Sequence, residues 1–582
     1  MRTAFITSEI FPYSKTGGLA DVSSALPKAL SKYIDIVCIT PLYKTIDKSG
    51  FERLPFNFEV FGSQFSVYKD GSVYFLESDI FDKVYGYSND EIRFGKFSYA
   101  VLRLFEYLGD FDIVHINDWQ TSLLAFLLKE SGYKGKVVLT IHNLAYQGIA
   151  DKAIIDELNL GWENFTFDKL EFYDKVNFLK SGIIFSDKFN TVSNEYAKEI
   201  QTPTFCEGLG DIISSYSYRL RGIVNGIDYN EFNPENDNFV IQNYNYETIN
   251  KKIINKRIVL ANLKLKDEKK PLFAFIGRFT KQKGVDLIVN NADFLSRLPI
   301  NIVMLGSGEL DYMVEPLNRY DNIAVITGYN ESLSRMIYAS SEFFIMPSVF
   351  EPCGLSQIIA AAYGCIPIVS KTGGLIDTVD MDDKKKIFGF SFFVNHYDMF
   401  KERIIDAIEL FNDREKYFHK AKENMLKRFS WDKSAKGYIE FYKEECRKPY
   451  KETEKAEAVP KCNIPYAYNE NRVFSMNVNP NLNFIYWNLE EDLIKRYKDL
   501  SVVVFDDGKI IFNHKIKSRY GEYFLKYFNN MKKLNAYIGI IENGEFIDII
   551  EKTKKEAKIL LQAEIVKKHK FESKYFIRSG EL

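Results

Sequence analysis

Five short apolar runs fall between residues 272 and 370, at 272–276, 300–305, 323–326, 342–346 and 366–370, and the segments between them have helical period. The runs are nearly continuous in apolar residues instead of alternating with polar ones. A strand of that composition must be covered on both faces, since alternation would mark one face as wet. Such strands, separated by helices long enough to cross over, pair in parallel. The first part of the chain has the same rhythm, with strand patterns at 3–8, 34–40, 112–117 and 136–142 and helical patterns at 91–108 and from Trp119. Residues 56–77 interrupt it by alternating around Asp70-Gly71, which reads as a β-hairpin insertion. The fold class predicted is α/β, as two doubly wound, Rossmann-like domains that meet between Asn225 and Lys270 and face one cleft.

A chain of 582 residues is too long for one core. Residues 447–461 are charged and flanked by prolines, as a linker would be. Beyond them, 472–489, 501–513 and 535–550 read as paired strands, with turn signals at Asp507-Gly508 and Asn543-Gly544. The domains expected are therefore 1–230 and 231–446, both Rossmann-like, and after the linker a small β-rich domain over 462–582. A lysine cluster near the C-terminus (Lys552, Lys554, Lys555, Lys558, Lys567, Lys568, Lys570) reads as a solvated helix face. Charged residues make up 27% of the chain and the net charge is only −2, which argues against a nucleic-acid binder. The six cysteines show no Cys-x-x-Cys pairing, as expected of reduced thiols in a cytoplasmic protein. Neither a signal-peptide pattern nor a membrane-length apolar run is read, so no membrane partner is expected.

Candidate chemistry clusters at the predicted strand ends. The string Lys-Thr-Gly-Gly-Leu occurs twice, at 15–19 and 371–375, each time after a strand pattern and before a helical one. Such a turn offers backbone N–H groups to an anion, although a lone Gly-Gly pair is more often only a tight turn. Arg278 and Lys283 sit five apart across another strand-to-helix turn, where both reach one diphosphate or form an ordinary surface basic pair. Glu351 precedes the Gly354-Leu355 helix start; beside a phosphate site a carboxylate is unfavourable unless it serves a sugar hydroxyl or a developing cation, and otherwise it is a dipole-stabilised helix-start residue. Cys353 reads as a packed small residue. Two of the six histidines, His115 and His142, end strands beside Asp118 and Gln147, as a sugar-hydroxyl site would. Asn225 adds a polar corner near the junction. No metal-ligating constellation and no cofactor site is read, so a leaving diphosphate would have to be neutralised by Arg, Lys and helix ends.

In order along the chain stand Lys-Thr-Gly-Gly-Leu-Ala-Asp-Val, His-Asn-Leu-Ala-Tyr-Gln-Gly, Asn-Gly-Ile-Asp, Gly-Arg-x-x-x-Gln-Lys-Gly, Phe-Glu-Pro-Cys-Gly-Leu and Thr-Gly-Gly-Leu. This series resembles bacterial glycogen synthases and plant starch synthases, the ADP-glucose-dependent retaining glucosyltransferases of GT-B architecture, over residues 1 to about 446. The resemblance implies that Lys15, Gly17 and Gly18 line the donor site from the first domain and that Arg278 and Lys283 hold its phosphates from the second. It implies that Glu351 binds the donor glucose, with Gly354, Leu355, Thr372, Gly373 and Gly374 touching glucose or phosphate. His142 would lie beside the transferred glucose, its backbone carbonyl stabilising positive charge. Asp21, Asp118 and Asn225 would sit at the donor or acceptor site, and Tyr329 would stack on adenine. The implied partners are ADP-glucose and glycogen or another α-1,4-glucan, and the implied mechanism is front-face substitution in which the leaving diphosphate helps deprotonate the acceptor hydroxyl.

The chain departs from the family pattern at Gly208-Leu209-Gly210-Asp211, where the last two residues are reversed, at Ala362 in place of a basic residue, and at Asn194 in place of proline. The tail from about Cys462 lies outside the resemblance and is weakly similar to a bacterial domain of unknown function. Its Trp487 and tyrosines either stack on glucan or belong to a core. Two other readings stay open: a UDP-glucose-using GT-B transferase, and a catalytically silent glucan-binding or regulatory protein.

Overall fold

The computed structural model describes residues 1–444 except Asn395, and beyond them the strands of a β-rich unit between 472 and 548. The chain divides into two compact units, Met1–Glu452 and Thr453–Leu582. The linker at 447–461, the turns at 507–508 and 543–544, and the lysine cluster at 552–570 lie outside the described residues.

The first unit has the GT-B architecture, built on two open sheets. The first sheet runs, in spatial order, Leu220–Gly222, Lys188–Thr191, Lys136–Ile141, Ile113–Asn117, Arg2–Ile6, Asp35–Leu42 and Val73–Glu77, all parallel. Ser63–Asp70 and Glu52–Val60 extend it antiparallel. The Asp70-Gly71 hairpin is present, and Gly71 takes the positive φ of 56° that such a turn requires. The second sheet is wholly parallel, in the order Ile323–Thr327, Asn301–Gly306, Leu272–Ile276, Phe343–Met346, Ile366–Ser370 and Phe390–Phe392. Its first five strands lie where the apolar runs place them. The sixth, Phe-Ser-Phe, is too short to stand out in sequence.

Each sheet has its own core. The helix Trp431–Lys443 falls in the sequence segment expected to belong with the second sheet, yet it packs on the core of the first through Trp431, Ala435, Tyr438, Phe441 and Tyr442. The chain therefore crosses between the halves twice. The crossings run side by side, with a bridge pairing Ile227 and Ser430. Gly226 is required there, since a Cβ on it would lie 2.4 Å from the backbone of Ser430 and Trp431. No helix among the described residues is long and apolar enough to cross a membrane.

In the second unit, Arg472–Asn479, Leu482–Asn488 and Tyr520–Lys526 form one antiparallel sheet. Lys509–Lys515, Ser501–Asp506, Asn535–Glu542 and Glu545–Asp548 form another. Val502, Val503 and Val504 are all buried, so the central strand of this sheet is covered on both faces. Trp487 pairs in register with Val473 and Gly521; its side chain lies outside what the structure describes.

Candidate active site

In an open parallel sheet the ligand crevice forms at the C-terminal strand edge, where the strand order reverses. The first sheet reverses between Arg2–Ile6 and Ile113–Asn117, and the second between Leu272–Ile276 and Phe343–Met346. Glu9 and Asp118 follow the first pair of strands; Arg278 and the segment from Ser348 to Glu351 follow the second. His142, Asn225, Tyr329 and the Thr372-Gly373-Gly374 turn follow other parallel strands at the same edges.

At the first reversal, Asn117 Nδ2 donates to the Ile6 carbonyl (2.9 Å), which turns its Oδ1 toward His142 Nε2 at 3.0 Å. The amide oxygen can only accept, so Nε2 carries the proton and Nδ1 is bare. Burial holds the His142 imidazole down at about 3, and it is neutral at any working pH. The backbone N–H of His142 donates to Asp118 Oδ1 (2.7 Å). Asp118 adopts a left-handed φ of 55°, a strained conformation for a non-glycine residue that aims its carboxylate back at the His142 loop. Burial raises its carboxyl to about 7, against the lowering effect of the His142 and Asn143 amides. In the loop after the strand Arg2–Ile6, the Lys15 ammonium pairs with Asp21 at 2.7 Å. Burial, the largest single effect, lowers Lys15, but the Asp21 charge and hydrogen bond, with smaller contributions from Tyr329 and Glu231 of the second half, together outweigh it and the net shift is upward. Gly17 and Gly18 begin the helix Gly18–Leu30.

At the second reversal, Glu351 is 5% exposed and its Oε2 meets Lys283 Nζ at 2.5 Å and the Ser348 hydroxyl at 3.1 Å. The Lys283 ammonium thus neutralises the carboxylate that looked out of place beside a phosphate. Gly284 makes this approach workable: its φ is 67°, and a Cβ there would lie 1.9 Å from the Pro347 carbonyl oxygen. Arg278 is exposed at the mouth, with Nη2 donating to Gln282 Oε1 (3.2 Å). Gly354 also has positive φ (72°), and Leu355 leads into the helix Ser356–Ala362. Tyr329 is 79% exposed, a free ring face at the edge. Cys353 is buried, and burial drives its thiol up to about 12, so it is inert as a nucleophile. Asn225 is buried against it and its Oδ1 has no partner.

Two residues expected in the sugar site are not there. His115 is wholly buried within the sheet, with Nε2 on Thr140 Oγ1 (2.7 Å) and Nδ1 on Tyr442 Oη (2.6 Å), because the helix Trp431–Lys443 folds back over it. Gln147 is also engaged internally, donating to Glu207 O and accepting from Asn177. In the Lys-Thr-Gly-Gly-Leu turns some of the N–H groups already have partners. Thr16 gives its N–H (2.6 Å) and hydroxyl (2.9 Å) to Glu9 Oε2. The Gly373 N–H (2.8 Å) and Thr372 hydroxyl (3.2 Å) go to Glu199 Oε1, and the Gly374 N–H to the Glu351 carbonyl (3.0 Å). Glu9, Glu199 and Ser348 carry no motif and escaped the sequence reading. Only the carboxyl of Glu9 lies near its turn in sequence; Glu199 is 173 residues from Thr372.

Residues 2–215 match the starch synthase catalytic domain family and residues 260–424 the glycosyl transferases group 1 family. A glycogen synthase of Aquifex aeolicus is 44% identical over 76% of this chain and 99% of its own length. One of Clostridioides difficile is 39% identical over 77% of this chain and its full length. The catalytic domain of starch synthase IV from Arabidopsis thaliana, solved bound to ADP and acarbose, superposes with a TM-score of 0.71 at 32% identity, covering 76% of this chain and 98% of that one. The chain is thus a glycosyltransferase that belongs to the glycogen synthase and starch synthase family.

Proposed function

We propose that the protein transfers glucose from ADP-glucose to the non-reducing end of an α-1,4-glucan, with retention of configuration. The observation that carries this reading is the Lys283–Glu351 pair at the topological switch point of the second sheet, where Arg278 also follows a strand end. Arg278 and Lys283 take up the charge of the leaving diphosphate, electrostatic work that needs preorganised cations. Glu351, held by Lys283 and Ser348, accepts from donor glucose hydroxyls. Neutral His142 adds no positive charge beside the glucose as its anomeric carbon becomes cationic, and the carbonyl next to its anchored N–H can face that carbon. Asp118 is tied to the His142 backbone and serves as its holder, which leaves proton removal from the acceptor to the diphosphate oxygen on the same face. Thr372, Gly373, Gly374, Gly354 and Leu355 shape the wall around the sugar. Lys15, Gly17, Gly18 and Asp21 close the opposite side, Asn225 adds a polar group beside Cys353 at the junction, and Tyr329 offers a ring to the adenine. ADP in the Arabidopsis starch synthase site supports the adenine nucleotide.

The test is turnover with glycogen and either ADP-glucose or UDP-glucose, following nucleotide release and the anomeric signal of the new linkage. Fast ADP release and an α-linkage are expected. Equal rates with both donors would overturn the donor assignment, and no turnover with either would leave a glucan-binding protein.

A further inference from the structure

The helices Asn194–Glu199, on the first sheet's side, and Gly373–Thr378, on the second's, cap one another across the junction. Asp377 Oδ2, from the second half, accepts the Glu195 N–H at 3.0 Å and also takes the Asn194 N–H. In return Glu199 Oε1, from the first half, accepts the Gly373 N–H and the Thr372 hydroxyl. The Ser193 hydroxyl adds a bond to the Pro352 carbonyl (2.5 Å), one residue beyond Glu351. The Thr372–Gly374 turn is thereby fixed from the other domain, while its Gly374 N–H fixes the Glu351 backbone. The first Lys-Thr-Gly-Gly-Leu turn is gripped in the same way by Glu9, again through a threonine hydroxyl and a backbone N–H. The two turns share both their letters and their clamp, but only the second clamp spans the domains.

We propose that Glu199 is a positioning residue for the transfer reaction: by gripping Thr372 and Gly373 across the junction it sets the sugar-binding wall and Glu351 only when the two domains are docked. This rests on the reading of that wall as the donor site. The other oxygen of Glu199, Oε2, is buried without a partner, so the carboxylate is held by the turn alone. The charged groups facing it are Glu195 from its own helix and Asp377 from the opposite one, both repelling; Lys198 on the same helix pairs with Glu195 instead. Burial first, and those two acids after it, raise Glu199 to about 7. As an ionised acceptor grips an N–H more strongly than a neutral one, the clamp tightens as pH rises through neutrality.

Two measurements test this. Amide hydrogen exchange on the free protein should speed up about tenfold or more at residues 372–375 in Glu199→Ala, and be restored in large part by Glu199→Gln, which keeps an acceptor oxygen. In turnover, Glu199→Ala should raise the donor KM about tenfold with melting temperature little changed, Glu199→Gln should recover most of that, and the fall of donor KM with rising pH expected of the wild type should vanish in Glu199→Gln. Unchanged exchange and unchanged KM in Glu199→Ala would overturn the proposal. Absence of turnover in the wild type with every sugar nucleotide would instead strike the proposed function, and the exchange result would still decide the clamp.

Discussion

At the scale of single residues, the chemistry depends on charges that are buried and yet compensated. Glu351 keeps its charge out of water only because Lys283 and Ser348 meet it. Removing one member of such a pair leaves the other desolvated and alone, whereas removing both charges does not. Lys283→Met is therefore expected to lose about 3 kcal/mol of stability, with much of it regained in Lys283→Met/Glu351→Gln. Both variants should lose nucleotide release by orders of magnitude. Urea denaturation of the single and double variants, beside turnover, separates the two roles; equal stability of all three proteins would mean that the pair is solvated. Asp118 makes the complementary case. Its left-handed backbone suits Asp, Asn or Gly, so Asp118→Ala should cost about 1–2 kcal/mol in strain and lost bonding where Asp118→Asn costs little.

At the scale of elements, much was legible. Strands that are apolar throughout announce a doubly covered sheet, and all five of the second half fall within a residue of their expected bounds. The strand Lys188–Thr191 did not announce itself, since Lys-Phe-Asn-Thr reads as loop. It is a strand because its polar groups find partners far away: Lys188 Nζ donates to the Phe441 carbonyl (2.8 Å), and Asn190 bonds both Thr140 and Tyr438. The same long-range bonding hid the role of His115, 327 residues from Tyr442, and the engagement of the second glycine turn, 173 residues from Glu199, since no local pattern records so distant a partner. Strand-end position pointed to the right edge of the sheet but not to which side chains face outward there. The helix Trp431–Lys443 is the element that ties these groups down. Tyr442→Phe removes the Oη that meets His115 and leaves a buried ring nitrogen unsatisfied, so about 1–2 kcal/mol should be lost without a change in donor KM. A KM shift would show that the helix also steers the cleft.

At the scale of the molecule, buried titratable groups of opposite sign work against one another in the pH dependence of stability. His115 and His142 are both lowered from 6.5 to about 3 by burial, so between those values the unfolded chain binds protons that the native one does not, and stability rises with pH. Asp118 rises from 3.8 to about 7 and Glu199 from 4.5 to about 7, again through burial. Their contribution has the opposite sign: it is fully present below the unfolded values and is lost as pH climbs through about 7. Between pH 4.5 and 6.5 these two acids and two histidines nearly offset one another, while Glu9, Glu91, Glu231 and Asp377, also raised by burial, act with the acids, so the wild-type curve should slope downward toward pH 7. Asp118→Asn keeps the acceptor for the His142 amide and removes one acid from the balance. Its stability should then drop on acidification from pH 6.5 to 4.5 by about 2 kcal/mol relative to the wild type, close to one uncompensated proton at about 1.4 kcal/mol per pH unit. Denaturant melts of both proteins across that range measure it directly. Parallel curves would mean that Asp118 is ionised throughout, and that the His142 loop is held by a full negative charge.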